Sequence, residues 1–68
     1  MNTQKLKGLI VSYDGDQASL AKAMGISRSR FNAKLHEREG AQFSRSDIVF
    51  IRDRYNLSQR EVEDIFFS

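Results

Sequence analysis

Apolar residues near the start of the chain recur with the period of an α-helix. They occupy relative positions i, i+3, i+4 and i+7, at Leu6, Leu9, Ile10 and Tyr13. Because an α-helix has about 3.6 residues per turn, this spacing puts all four on one side. Asn2 or Thr3 can serve as the N-cap, since a short polar side chain accepts a hydrogen bond from a free amide. The pattern predicts a first helix over about 3–13.

Two short helices are predicted next, over about 17–24 and 28–36. Asp16 can cap the first of them and Ser27 the second. Gly25 lies between them, where a helix commonly ends on a left-handed residue that glycine adopts without strain. The apolar residues predicted to face inward are Leu20, Ala21, Met24, Ile26, Phe31 and Leu35. Together they predict two helices that cross steeply through a tight turn.

A fourth and a fifth helix follow a loop over 37–43. Two Ser residues each precede an acidic residue by three positions, the spacing of a capping box, in the pairs Ser44 and Asp47, and Ser58 and Glu61. The fourth helix should run over about 45–55, and its apolar residues cover so much of its circumference that we expect it at the centre of the core. These residues are Ile48, Val49, Phe50, Ile51 and Tyr55. In the fifth helix, Val62, Ile65 and Phe66 share the inner side, with Phe67 one step round.

The predicted fold is therefore all-α, a compact bundle of about five short helices forming one domain over 1–68. No stretch alternates apolar and polar residues long enough to indicate a β-strand. The longest apolar run, over residues 48–51, has four residues, far below the roughly 20 that span a membrane. No apolar leader segment with a small-residue cleavage site follows Met1, so we expect a cytoplasmic protein.

The length and composition of the chain disfavour several classes of function. A chain of 68 residues buries only about 60% of its unfolded surface, which leaves little volume for a deep enzyme pocket. The chain has no cysteine and one histidine, which excludes disulfides and disfavours a structural zinc site. The adjacent carboxylates Glu63 and Asp64 diverge on a helix, and no Ser and His share a third partner at meaningful spacing. We expect no catalytic residues, cofactor, metal or small-molecule substrate.

Positive charge is concentrated in the middle of the chain. Residues 17–38 contain five Lys and Arg residues against one Glu, whereas residues 1–16 are neutral and residues 39–68 carry a net negative charge. A basic module between neutral and acidic segments is expected if one face binds a polyanion such as DNA. An ordinary solvated face would give the same pattern, and charge alone does not separate the two.

The polar side chains of the third helix suit base recognition. Those at its N-terminal end or on its outer face are Ser27, Arg28, Ser29, Asn32, Ala33 and His36. Arg binds guanine and Asn binds adenine through two hydrogen bonds each, and the Ala33 methyl can contact a thymine methyl. Gln17, at the start of the second helix, suits a phosphate contact. Arg30 and Lys34 point more to the side and are assigned to backbone phosphates, whereas His36 is either a surface residue or a phosphate contact.

Residues 17–35, reading QASLAKAMGISRSRFNAKL, resemble the helix-turn-helix of the lambda-repressor-like, Cro-type regulators of phages and bacteria. The segments LKGLIV, AMGIS, FNAKL and the terminal IFF extend the likeness to small phage-encoded Cro-like proteins. Phe31 departs from it, because Ile, Val or Leu is usual there. The resemblance implies a five-helix domain in a bacterial host cell that binds operator DNA, usually as a homodimer, often in a lysis-lysogeny switch.

Two other interpretations stay open. The helix pair could belong to a bundle that does not bind DNA. Alternatively, the chain could be an antirepressor that binds a partner phage repressor, since its last helix combines acidic and aromatic residues that could engage a basic recognition helix. The residues of this candidate partner surface are Glu61, Glu63, Asp64, Phe66 and Phe67.

Overall fold

The computed structural model describes residues 1–68 and contains five α-helices and one short 3-10 turn. The α-helices are α1 (Thr3–Asp14), α2 (Gln17–Met24), α3 (Arg28–Leu35), α4 (Arg45–Tyr55) and α5 (Gln59–Phe66). The 3-10 turn, Arg38–Gly40, lies within the segment predicted as a loop. There is no β-strand, so the predicted all-α fold of five short helices is confirmed.

Each helix begins at a side-chain cap. Asn2, rather than Thr3, caps α1, and Asp16 caps α2 by accepting a hydrogen bond from the Ser19 amide at 2.8 Å. Ser44 and Ser58 form the two predicted capping boxes with Asp47 and Glu61. These bonds satisfy amides that have no partner inside the helix. They explain why the predicted starts of the helices agree with the structure.

Eleven buried apolar residues form one core to which every α-helix contributes. They are Leu6, Ile10, Leu20, Ala21, Phe31, Leu35, Ile51, Tyr55, Leu57, Val62 and Ile65. None of the eleven is a charged residue. The aromatic ring of Phe31 lies edge-on to Phe43, which lies edge-on to Phe66, with ring centres 5.5 and 6.0 Å apart. This row of rings ties α3 to the end of α5.

Three details differ from the predictions. Tyr13, expected on the apolar side of α1, is 61% exposed because its ring lies at the helix end and stacks on Tyr55. Helix α4 is not surrounded by core, since only Ile51 and Tyr55 are buried and Phe50 is exposed. Helix α3 ends at Leu35, one residue before the predicted end, because His36 leaves the helical conformation as its C-cap.

The end of α1 is fastened to the end of α4 by polar contacts. Arg54 Nη2 donates to Asp14 Oδ1 at 2.6 Å, Arg54 Nε lies 3.2 Å from both carboxylate oxygens, and the Tyr55 hydroxyl also donates to Asp14. We call Tyr13, Asp14, Arg54 and Tyr55 the Asp14 cluster. The hydrogen bonds from Arg54 lower the pKa of Asp14 against the opposing effect of burial. The cluster fixes the corner at which α2 begins.

The two ends of the chain meet. The Asn2 amide donates to the Ile65 carbonyl at 2.6 Å, and the Met1 ammonium lies 3.5 Å from the Ser68 carbonyl. The first turn of α1 and the last turn of α5 therefore lie side by side. None of the helices combines the length and the hydropathy that crossing a membrane requires.

Candidate nucleic-acid interface

A tight turn joins α2 to α3. Gly25 ends α2 in the left-handed region, with φ 78° and ψ 24°, and the Ile26 amide then donates to the Ala21 carbonyl at 3.0 Å. A residue with a β-carbon would be strained at this φ. Ala21 is buried and Ile26 is half-buried between the helices. The two helices are consequently held at a fixed angle by backbone geometry and by packing.

Helix α3 has one buried edge and one open face. Phe31 and Leu35, four residues apart, are both buried in the core. The Ser27 hydroxyl accepts a hydrogen bond from the Arg30 amide at 3.1 Å, which fixes the start of the helix. Arg28 and Asn32, four residues apart, share a side of α3, and that side adjoins the buried edge. Arg28 is exposed and Asn32 is half-buried.

Four polar side chains line one shallow depression on this open face. They are Arg28, Ser29, Asn32 and Arg38, and they surround a volume of about 270 Å³ that has no apolar residue in its lining. We call these four residues the α3 face. Three of them are predicted base-reading residues, and the structure brings them together. Ser27, also predicted, is the helix cap beside them.

Arg38 is the member of the α3 face that sequence analysis missed. Two residues around it, Glu37 and Glu39, have positive φ values of 53° and 52°, and Gly40 follows with φ 79°. These left-handed residues fold the chain back after α3, which returns Arg38 to the helix surface. A positive φ is costly for Glu, so no local sequence signal indicates it. The only available signal was the count of cations in residues 17–38.

The arginines of the α3 face have no anionic partner within ion-pair distance. Ion pairs in the structure involve Lys5, Lys34, Arg52 and Arg54, and neither Arg28 nor Arg38 is among them. The positive charge of Arg28 acts on one acidic group, the Asp16 carboxylate. Its pKa is lowered first by hydrogen bonds from Ser19 and then by the positive charge of Arg28. The start of α2 and the start of α3 therefore belong to the same side of the molecule.

The start of α2 carries the predicted phosphate contact. Gln17 is the first residue of that helix and is half-buried, next to the exposed cap Asp16. The Asp16 carboxylate accepts one of the free amides and places a negative charge at the helix start. Gln17 keeps an amide side chain at the edge of the basic side, and its phosphate contact remains a prediction.

Lys34 is paired with an acidic residue within the chain. Sequence analysis assigned it to backbone phosphates, but its Nζ lies 2.6 Å from Asp47 Oδ2, and the two side chains are only 12% and 17% exposed. Burial opposes ionisation of Asp47, but hydrogen bonds from Lys34 and Ser44 outweigh it and lower the Asp47 pKa. The ammonium group therefore joins α3 to α4 and is not available on the α3 face.

Three other predicted contacts lie outside the α3 face. Arg30 is exposed, without an ion-pair partner, and Ala33 is half-buried. His36 is the exposed C-cap of α3. None of the three lines the depression. Their contacts with DNA remain predictions.

The candidate partner surface on α5 is largely paired within the chain. Glu61 belongs to a capping box whose hydrogen bonds from Ser58 lower its pKa, Asp64 lies 3.6 Å from Lys5 Nζ, and Glu63 accepts from Gln59. Phe66 is half-buried against Phe43. Phe67, by contrast, is 68% exposed, as its position one step round the helix predicts.

Comparison of the chain with protein-family models, with characterised proteins and with solved structures found no match.

Proposed function

We propose that this protein is a sequence-specific binder of double-stranded DNA that regulates transcription, with α2 and α3 acting as a helix-turn-helix and α3 entering the major groove. The observation that carries the proposal is the α3 face. It brings three polar side chains of α3, Arg28, Ser29 and Asn32, together with Arg38 of the 3-10 turn, and neither arginine has an anionic partner within ion-pair distance. Such a surface has no partner within the chain and matches the hydrogen-bonding groups of base edges.

Each part of the proposed interface has its own task. Arg28, Ser29 and Asn32 read base edges from the first turns of α3. Arg38 contacts a phosphate or a base edge beside them. Ser27, Gln17 and Arg30 fix the protein on the backbone phosphates, which sets the register but carries no sequence information. The rigid Gly25 turn holds these groups in place before DNA arrives, and this reduces the entropy lost on binding.

The resemblance to Cro-type regulators extends the proposal to operators and symmetry. A chain of 68 residues reaches few base pairs with one α3, so two copies on an inverted repeat would recognise a longer site. The proposed setting is a phage or prophage operator in a lysis-lysogeny switch. The regulator would act by occupying DNA that another protein needs.

The test is selection of binding sites from a random duplex library, followed by affinity measurement by fluorescence anisotropy across a range of salt concentrations. We expect one enriched motif and an affinity that falls steeply with salt, because binding to phosphates releases counterions. Absence of an enriched motif, or an affinity independent of salt, would overturn the proposal. A mobility shift with DNA flanking the protein's own gene then tests the operator directly.

A second function, binding to a partner repressor as an antirepressor, has one observation in its favour, the exposed ring of Phe67. Its acidic residues support it less, because Glu61 and Asp64 already have partners within the chain. A pull-down with the neighbouring regulator in the absence of DNA separates the two functions. An operator binder alone would retain nothing.

A further inference from the structure

A groove on the side of α4 and α5 has an apolar floor that no part of the chain covers. It is the largest surface cavity, with a volume of about 550 Å³, and lies between the segment 42–44, the outer side of α4 and α5. Its apolar lining consists of Phe43, Ile48, Val49, Val62 and Phe67. A smaller cavity of about 320 Å³ shares Gln42, Phe43, Ile48 and Phe67 with it and extends toward Met1 and Phe66. The two form one continuous groove.

The charged residues that line the larger cavity are both cationic. Arg45, in the first turn of α4, has no ion-pair partner, and Arg52, two turns later, is paired at 3.0 Å with the exposed Asp53, which does not line the groove. Gln42, Ser44 and Gln59 complete the polar rim. The smaller cavity adds Lys34, which is neutralised by Asp47, and Glu37 at its far end. The main part of the groove is therefore apolar below and positive at its edge.

We propose that this groove binds an amphipathic helix of a protein partner, one with apolar residues at helical spacing and acidic residues beside them. A helix lays such an apolar stripe into a groove by burying anchors at i, i+3, i+4 and i+7. The aromatic and aliphatic floor supplies the burial, and Arg45 and Arg52 select the acidic flank through charge complementarity. This partner is opposite in charge to a basic recognition helix, and the groove does not include the residues of the α3 face.

The test uses a displayed library of 16-residue helical peptides. Leu is fixed at four positions of helical spacing, and the remaining positions are Glu, Lys, Gln or Ala at random. The protein is immobilised through Ser12→Cys, an exposed position on α1, which gives one attachment point because the chain has no cysteine. We expect enrichment of peptides rich in Glu. Enrichment of Lys-rich peptides, or no enrichment, would overturn the proposal.

Three variants locate the binding site of an enriched peptide. Phe67→Ser removes an apolar wall and Arg45→Glu reverses the rim, and we expect each to weaken binding at least tenfold. Phe50→Ser is the matched control, since Phe50 is an exposed aromatic residue of α4 that does not line the groove. Equal affinity for all three variants would contradict the proposal. Circular dichroism checks that each variant is folded.

A second copy of the chain is the competing occupant. Sedimentation over a range of concentrations would detect it. A dimer that Phe67→Ser dissociates and Phe50→Ser preserves would assign the groove to self-association and overturn the proposal. The result is independent of the proposed DNA binding, because Phe67→Ser leaves the α3 face intact and the duplex selection can be repeated with it.

Discussion

Arginine has opposite roles in two regions of this molecule. In the Asp14 cluster, Arg54 donates to a carboxylate that is only 6% exposed, and both oxygens of that carboxylate accept hydrogen bonds. On the α3 face, Arg28 and Arg38 line a polar depression without an anionic partner within ion-pair distance. The first arrangement is complete within the chain and holds two helices together. The second arrangement has no anion within the chain, and we propose that DNA provides it.

The largest effect is expected on the α3 face. Arg28→Ala should weaken binding to the selected DNA site by about 1–3 kcal/mol and relax the preference at one base pair. Thermal stability should change little, because the Arg28 side chain makes no hydrogen bond or ion pair within the protein. Arg60→Ala, an exposed arginine of α5, is the matched control and should bind as the wild type does. Anisotropy titrations with matched and mismatched duplexes measure the difference.

A substitution in the Asp14 cluster should lower stability instead of DNA affinity. Asp14→Asn removes the negative charge to which Arg54 and Tyr55 donate hydrogen bonds. We expect the free energy of unfolding to fall by about 1–2 kcal/mol. This loss is smaller than for a fully buried ion pair, because the Arg54 side chain is partly exposed to solvent. DNA affinity of the folded protein should be unchanged. Asp53→Asn, which removes an exposed ion pair, should cost under about 0.5 kcal/mol. Urea unfolding followed by circular dichroism distinguishes the two.

A comparison of Lys34 with Arg38 sharpens the contrast between the two roles. Arg38→Ala should reduce the salt dependence of DNA binding by about one phosphate contact without changing stability. Lys34→Ala should leave the salt dependence unchanged and lower the unfolding free energy by about 1 kcal/mol, because it leaves Asp47 half-buried without its cation. If the two variants exchanged these effects, Lys34 and not Arg38 would be the residue that contacts phosphate.

The smallest expected effect is that of pH on the stability of the protein near neutrality. Asp14, Asp16, Asp47 and Glu61 all have pKa values lowered in the folded state, so their stabilisation is complete above the usual carboxyl pKa values of 3.8 and 4.5. It is lost as pH falls through the lowered folded values. Melting temperatures should be flat from pH 8 to about pH 5 and fall below pH 4. Asp14→Asn should flatten part of that fall.

Tyr55 should make the stability of the protein fall at alkaline pH. Burial first, and then its hydrogen bond to Asp14, raise its pKa well above the usual 10.0. A raised pKa means that the stabilisation is complete below pH 10 and is lost as pH rises above it. Tyr55→Phe should remove this alkaline loss and should leave the α3 face unaffected. Unfolding at pH 8 and pH 11 measures the change.

The helices could be predicted because their signals are local. Asp16, Ser27, Ser44 and Ser58 each cap a helix within three residues of their own position, and Gly25 ends α2 by its own conformational freedom. The packing of α4 could not be predicted in the same way. Apolar residues such as Phe50 indicate where burial is favourable, but neighbouring helices decide how much of a surface is covered.

The α3 face was predicted in part for the same reason. The spacing of Phe31 and Leu35 defines the buried edge of α3, and Arg28, Ser29 and Asn32 lie outside that edge. Arg38 depends on left-handed residues that glutamate seldom adopts, and Lys34 on a residue 13 positions away in the chain. Neither backbone reversal nor a distant ion pair leaves a periodic pattern in the sequence.

The meeting of the chain ends has a topological consequence. Because Asn2 bonds to the Ile65 carbonyl, a short flexible linker could join residue 68 to residue 1 without stretching any helix. New termini could then be opened at Gly40, in the exposed segment between α3 and α4. Such a circular permutant would keep all five helices and release the backbone reversal that holds Arg38. The contribution of that reversal to DNA affinity could then be measured separately from the contribution of the fold.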